Sequence, residues 1–320
     1  MVKAKEITEL DCAASATDWA QEVLRVRFEE VFELREAALD FSDIEGVHNM
    51  RVATRRLRGA LRDFMPLMHK RPLKHIKRQL KEIADALGAV RDQDVAISAL
   101  EKLQAHSKIA ESDSVKQGIK VLLAERRATR EQARTNLSQS LATENLDNLQ
   151  ARFNQTIDRA IKRKREECIK GKKRGEREIS FNEAGRRAVA EGFEDFYALG
   201  TNLYAPFKVD GLHEFRIAAK RLRYALELFT ACWGEKISEF ADEAAAIQSE
   251  LGEVHDCDVW IENLGARLHI NNDSVVNEAA IWLLSNFAKR RSKNYRAALE
   301  RWGKWQTNDF ALRMKNTIND

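Results

Sequence analysis

Val47–Phe64 reads VHNMRVATRRLRGALRDF, and Leu212–Phe229 reads LHEFRIAAKRLRYALELF. Nine of these eighteen positions are identical at an offset of 165 in a chain of 320 residues. Chance does not repeat a segment of this composition at half the chain length, so the pair reads as an internal duplication. Three further blocks keep the same order. FEEVF at Phe28–Phe32 matches FEDFY at Phe193–Tyr197. LGAVRDQDV at Leu87–Val95 matches LGEVHDCDV at Leu251–Val259, and ERR at Glu125–Arg127 falls opposite KRR at Lys289–Arg291. Each half is one copy of a unit of about four helices.

Every block has helical periodicity. Leu24, Phe28, Val31, Phe32 and Leu34 recur at three- and four-residue steps, the pattern of a helix with one buried stripe. The spacing predicts helices over Trp19–Leu39, His48–Phe64, Leu73–Leu87 and Val115–Leu141. Pro66 and Pro72 close the second, and the segment after Gly88 continues the third or opens a new helix. In the second half the helices fall near Glu183–Leu203, Gly211–Cys232, Ile237–Leu264 and Val275–Trp305. Strand alternation is absent over any useful length, so the fold class is all-α: two tandem, pseudo-symmetric four-helix-bundle subdomains. The division is 1–160 and 182–320, joined by a basic stretch over 161–181. Between Lys162 and Arg177 this stretch holds nine Lys or Arg against three Glu, and reads either as a solvated linker or as a basic arm that attracts a polyanion.

On a helical wheel, His48, Arg51, Arg55, Arg58 and Arg62 share an arc of about 80°, while Met50, Ala53, Leu57, Ala60, Leu61 and Phe64 lie opposite. The row is about 21 Å long at about 1.5 Å per residue. Arg56 sits at its flank. The second copy places His213, Arg216, Lys220 and Arg223 on the same arc with Arg221 at the flank, but Glu227 replaces the fifth cation and Glu214 stands opposite Asn49. Crowding like charges at helical spacing costs a few tenths of a kcal/mol per pair, and ordinary solvated faces mix signs to avoid it. Arginine also binds phosphate through a planar fork. A straight row of such groups suits a long anion with charges spaced along a line. His48 and His213 read as helix caps or packing residues, or as donors to a phosphate. Asp92, Asp94, Asp256 and Asp258 read as residues that orient neighbouring arginines and cap their own helix, or as a magnesium site. Arg126, Arg127, Arg290 and Arg291 on the last helix of each half are candidates to extend the basic surface.

Composition narrows the field. Charged residues are 32% of the chain, with only 3 Pro and 14 Gly, a profile of long charge-laced helices. The net charge is only +4, so sorting of charge onto faces matters more than its sum. Cys12, Cys168, Cys232 and Cys257 form no CxxC pair, which argues against a zinc site or disulfide framework and for a reducing compartment. No metal or cofactor is expected. No stretch has the apolar length of a signal peptide core or a membrane span, so a cytoplasmic protein without a membrane partner is expected.

The segments His48-x-x-Arg51-x-x-x-Arg55-Arg56-x-Arg58 and His213-x-x-Arg216-x-x-x-Lys220-Arg221-x-Arg223, with the two LGxV[RH]DxDV segments, resemble the CHAD family, the conserved histidine α-helical domain. The resemblance covers nearly the whole chain. It implies two four-helix bundles related by pseudo-twofold symmetry, with basic helices lining a groove or pore that binds inorganic polyphosphate. It also implies association with polyphosphate granules and with polyphosphate-metabolising enzymes. The carried-over binding residues are His48, Arg51, Arg55, Arg56 and Arg58, and His213, Arg216, Lys220, Arg221 and Arg223. Triphosphate-tunnel enzymes, which often accompany this family, carry an N-terminal ExExK strand that this chain lacks, so a non-enzymatic binding protein is expected. A nucleic-acid binder is the alternative, disfavoured because aromatic residues are not interleaved with the basic rows. A magnesium-dependent polyphosphate phosphohydrolase using the Asp pairs is the third reading.

Overall fold

A computed structural model describes the chain except for residues 1–3, 6, 8–9, 106–111, 170–177, 271–272 and 320, and describes no side chain at 168, 169 and 270. Twelve α-helices are described: α1 (Ala16–Glu33), α2 (Arg35–Leu39), α3 (Ile44–Asp63), α4 (Lys70–Gln104), α5 (Asp113–Ser140), α6 (Thr143–Ile169), α7 (Phe181–Ala198), α8 (Val209–Leu228), α9 (Thr230–Trp233), α10 (Ser238–Ile270), α11 (Ser274–Thr307) and α12 (Phe310–Asn319). The described residues contain no strand, only an isolated antiparallel bridge between Ser15 and Ser180, and the fold is all-α. The bounds of α1 and α3 recur to the residue in α7 and α8, at the offset of 165 found in the sequence.

Local chemistry explains the breaks. Asp43 caps α3, its side chain accepting the Glu45 N–H at 2.9 Å. Pro66 lies in a 3₁₀ turn, Met65–Leu67, directly after α3. Pro72 does not close that helix. It occupies the first turn of α4, where the missing N–H has no intrahelical partner to lose. Gly88 lies inside α4, which runs straight through the LGAVRDQDV segment as one 35-residue helix. The basic join is helical as far as Ile169 within α6, and its residues 170–177 lie outside those described.

The chain forms two compact units. One comprises Met1–Ile97 and Arg126–Gly185, the other Ser98–Glu125 and Arg186–Asp320. The first unit is centred on fully buried Phe28, Phe64, Phe153 and Phe181, with Phe28 and Phe153 at 4.6 Å between ring centroids. Each such ring contributes about 1.5–3 kcal/mol on burial. The second unit packs Phe196 against Phe215 at 4.8 Å and Trp305 against Phe310 at 4.4 Å. Beside these rings, Arg301 bridges Glu243 and Glu250 at 3.0 and 2.9 Å, and Trp305 Nε1 donates to Glu243 at 2.7 Å. The α5 segment in this unit comes close to α11 at Gly118, where a Cβ would meet that of Ala279 at 2.5 Å and the Val275 carbonyl oxygen at 2.6 Å. Arg267 of α10 anchors the same segment through two hydrogen bonds of 2.7 Å to Glu125.

Candidate functional site

In the first unit, α3 buries Val47, Met50, Ala53, Leu57, Ala60 and Leu61 and turns its opposite side away from the core. On that side His48, Arg51, Arg55 and Arg62 are half-buried and Arg58 is exposed. Arg51 Nη2 lies 3.7 Å from Asp92 of α4. Gly88 lies beside this guanidinium, where a Cβ would make an ordinary contact of 3.8 Å with Arg51 Nε. Arg62 pairs with Asp63 at 2.7 Å. Burial pushes the His48 imidazole below its usual pKa, and the charges of Arg91 and Arg55 push the same way against Glu45. His48 is therefore neutral at pH 7.

Arg56 has a different environment from its neighbour Arg58. Its side chain is 11% exposed and lies 3.5 Å from Glu30 of α1, whose own side chain is 7% exposed. Glu30 also accepts Arg27 Nη1 at 3.0 Å and the Lys5 backbone N–H at 3.1 Å. Arg56 thus joins a buried ionic cluster that fastens α3 to α1. At the matching positions of the second unit, Gly192 and Asp195 stand where the first has Arg27 and Glu30, and Arg221, the counterpart of Arg56, is exposed.

In the second unit, α8 buries Leu212, Phe215, Ala218, Ala219, Leu222, Ala225 and Leu226. His213, Arg216, Lys220 and Arg223 are half-buried on the other side. Arg223 Nε donates to Glu227 at 2.6 Å, so the acidic departure in the sequence is spent on a row cation. The imidazoles of His213 and His255 meet with Nδ1 atoms 3.3 Å apart and centroids at 4.6 Å. Burial first, then the charges of Arg216, His213 and Lys220, pull the His255 pKa down to about 4. His213 is lowered for the same reasons, burial leading.

Asp92, Asp94 and Asp258 face arginines. Besides the Asp92–Arg51 pair, buried Asp94 lies 3.5 Å from Arg130 of α5, and Asp258 holds Arg291 of α11, which also donates to the Pro206 carbonyl at 2.7 Å. Burial raises the Asp94 pKa against the pull of Arg130, Arg134 and Arg91. None of these aspartates caps its own helix, since all four lie inside α4 or α10. Asp256 is exposed. Arg290 donates to Glu253 at 2.8 Å, while Arg126 is half-buried and Arg127 exposed on α5. Among the described residues no group of three or more His, Cys, Asp or Glu is placed to hold a metal ion. Nor, among them, is any helix long and apolar enough to cross a membrane.

The CHAD domain profile matches residues 22–265, three quarters of the chain and both His-headed helices. The chain belongs to the CHAD domain family. Two solved structures share the fold. The CHAD domain from the plant Ricinus communis superposes with a TM-score of 0.72 at 21% identity, covering 94% of this chain and 96% of that one. PptA from Streptomyces chartreusis superposes with a TM-score of 0.63 at 12% identity, covering 91% and 100%. No curated protein matches the chain in sequence. Two side chains that bear on the CHAD rows, Arg91 and His255, were visible in the duplicated LGxV[RH]DxDV segment. Their bearing on His48 and His213 required the packing of α4 and α10.

Proposed function

We propose that this CHAD protein is a non-catalytic binding module for inorganic polyphosphate, held by charge-assisted contacts from the cationic faces of α3 and α8. The observation that carries this reading is the sorting of charge on α3: five cationic or titratable groups lie opposite its apolar stripe, with Arg58 exposed. Family membership supports the ligand class through the resemblance. Affinity then rises with chain length and falls steeply with salt, as counterions released from the polyanion dictate. Selectivity comes from charge density, because the chain carries no base to read. Placement on polyphosphate granules in the cytoplasm, beside polyphosphate-metabolising enzymes, follows from the same reading. Engagement of Asp92, Asp94 and Asp258 by arginines favours binding over magnesium-dependent hydrolysis.

The test is calorimetric titration of long-chain polyphosphate, duplex DNA and RNA at about 0.15 M salt. Wild type is compared with a variant carrying Arg55→Ala, Arg58→Ala, Lys220→Ala and Arg223→Ala. Tight polyphosphate binding that collapses in the variant, with weak nucleic-acid binding, is expected. Equal binding of all three polyanions, or affinity untouched by the substitutions, overturns the proposal.

A further inference from the structure

One difference between the two units beside the opening histidine bears on protonation. The first has Arg91 on α4; at the matching position of α10 the second has His255, whose ring contacts that of His213. A guanidinium is charged at any physiological pH, whereas an imidazole chooses. We propose that His213 and His255 act as one proton-accepting unit that binds phosphate after taking up a single proton, which makes polyphosphate binding by the second unit stronger as pH falls. This rests on the polyphosphate reading and adds His255 to its binding residues.

The chemistry follows from the geometry. A 3.3 Å approach of two Nδ1 atoms is a hydrogen bond only when one ring carries the Nδ1 proton and the other accepts it. In the neutral pair the donor ring has a bare Nε2, and the acceptor ring carries its proton on Nε2. One proton from solvent onto the bare Nε2 gives an imidazolium hydrogen-bonded to a neutral imidazole, and both Nε2 atoms are then N–H donors fit for phosphate oxygens. A second proton would have to enter the shared Nδ1 contact and set N–H against N–H, so uptake stops at one.

Burial first, and then the surrounding charges, hold the pair neutral. From α8, Arg216 and Lys220 oppose protonation, while Asp210 and Glu214 favour it only at His213. From α11, Arg290 and Arg291 come with their own carboxylates, Glu253 and Asp258 of α10. Asp256 is exposed. A bound phosphate chain reverses the field of Arg216 and Lys220 and removes the chief electrostatic barrier to the proton.

The test is calorimetry of the full chain with long-chain polyphosphate at fixed ionic strength, between about pH 5 and pH 8, in two buffers of different ionisation enthalpy. Wild type is expected to take up about one more proton per bound second unit than His255→Arg near pH 6, and its affinity to change with pH more steeply, by up to about tenfold per pH unit. Protons on the ligand's terminal phosphates cancel, since both proteins meet the same ligand. His213→Gln combined with His255→Gln, which removes both imidazoles without adding charge, gives the same comparison should the arginine variant fail to fold. Equal proton uptake in wild type and variants, with binding intact, overturns this inference and leaves the function standing. Absence of any polyphosphate binding by wild type overturns both.

Discussion

Arg56 and Arg58 are two residues apart on one helix, and the structure separates their consequences. Glu30→Ala leaves Arg27 and Arg56 as two guanidinium groups, 10% and 11% exposed, without the carboxylate between them. Breaking a buried pair by removing one partner costs about 3–5 kcal/mol, because a charge is left in a poor solvent. Arg56→Ala is milder, since Glu30 keeps Arg27 and the Lys5 N–H; losing one charged hydrogen-bonding partner is worth about 1.5–3 kcal/mol. The first unit has roughly 160 residues, and at that size 1 kcal/mol moves the midpoint by about 2–4 °C. The expected loss is therefore about 6–20 °C for Glu30→Ala and about 3–12 °C for Arg56→Ala. Arg58→Ala, at an exposed position, stays within about 0.5 kcal/mol in stability. It lowers polyphosphate affinity instead, and reduces the slope of log affinity against log salt by about 0.7–0.9, because one fewer phosphate is neutralised. Scanning calorimetry and binding at several salt concentrations read the two quantities separately. An Arg56→Ala protein with an unchanged midpoint and abolished binding, or an Arg58→Ala protein that melts as early as Glu30→Ala, refutes the assignment.

Three further outcomes follow from the structure. Gly118→Ala would place a methyl group 2.5 Å from the Ala279 Cβ and 2.6 Å from a backbone oxygen, so α5 and α11 must part; a cost of about 1–3 kcal/mol is expected in thermal unfolding. Gly252→Ala meets nothing within 4 Å inside α10 and is expected to raise the midpoint, by about 0.5–1 kcal/mol of stability. The ligand-free protein is expected to lose stability on acidification. His255, near 4 when folded and 6.5 when unfolded, is protonated first in the unfolded chain, so its contribution is present above pH 6.5 and lost as pH falls towards 4. That loss reaches about 3 kcal/mol, with smaller losses of the same sign from His48 and His213; urea melts across this range should flatten in His255→Gln.

The fold was legible because the chain states it twice. Apolar residues at helical steps marked α3 and α8, and the 165-residue offset carried from motif to helix bounds. Sorting of cations onto one face was equally plain, because a wheel needs only spacing. What the wheel cannot hold is the neighbour. Arg56 sits at the flank of the row, and only the packing of α1 on α3 brings Glu30 to it. The same limit applies to Arg291, a basic-surface candidate by sequence, which Asp258 and the Pro206 carbonyl hold in place. Association of Ser98–Glu125 with the second unit depends on Gly118 and on the Arg267–Glu125 pair, contacts across more than a hundred residues that leave no local pattern.

Several differences between the copies at matched positions concern charge. The Arg27–Glu30–Arg56 cluster gives way to Gly192, Asp195 and an exposed Arg221. Arg62 gives way to Glu227, which takes Arg223 as its partner, and Arg91 gives way to His255. The apolar side shows no such change: Leu57 and Leu222, Ala53 and Ala218, Phe64 and Phe229 are all buried. Matching apolar cores thus carry one row whose charge is fixed by guanidinium groups and a second that is shorter, partly neutralised and headed by two imidazoles. Permanent charges set an affinity that varies mainly with salt; imidazoles set one that also varies with pH. On the polyphosphate reading, the first unit supplies the baseline hold on the chain and the second supplies the part that conditions adjust.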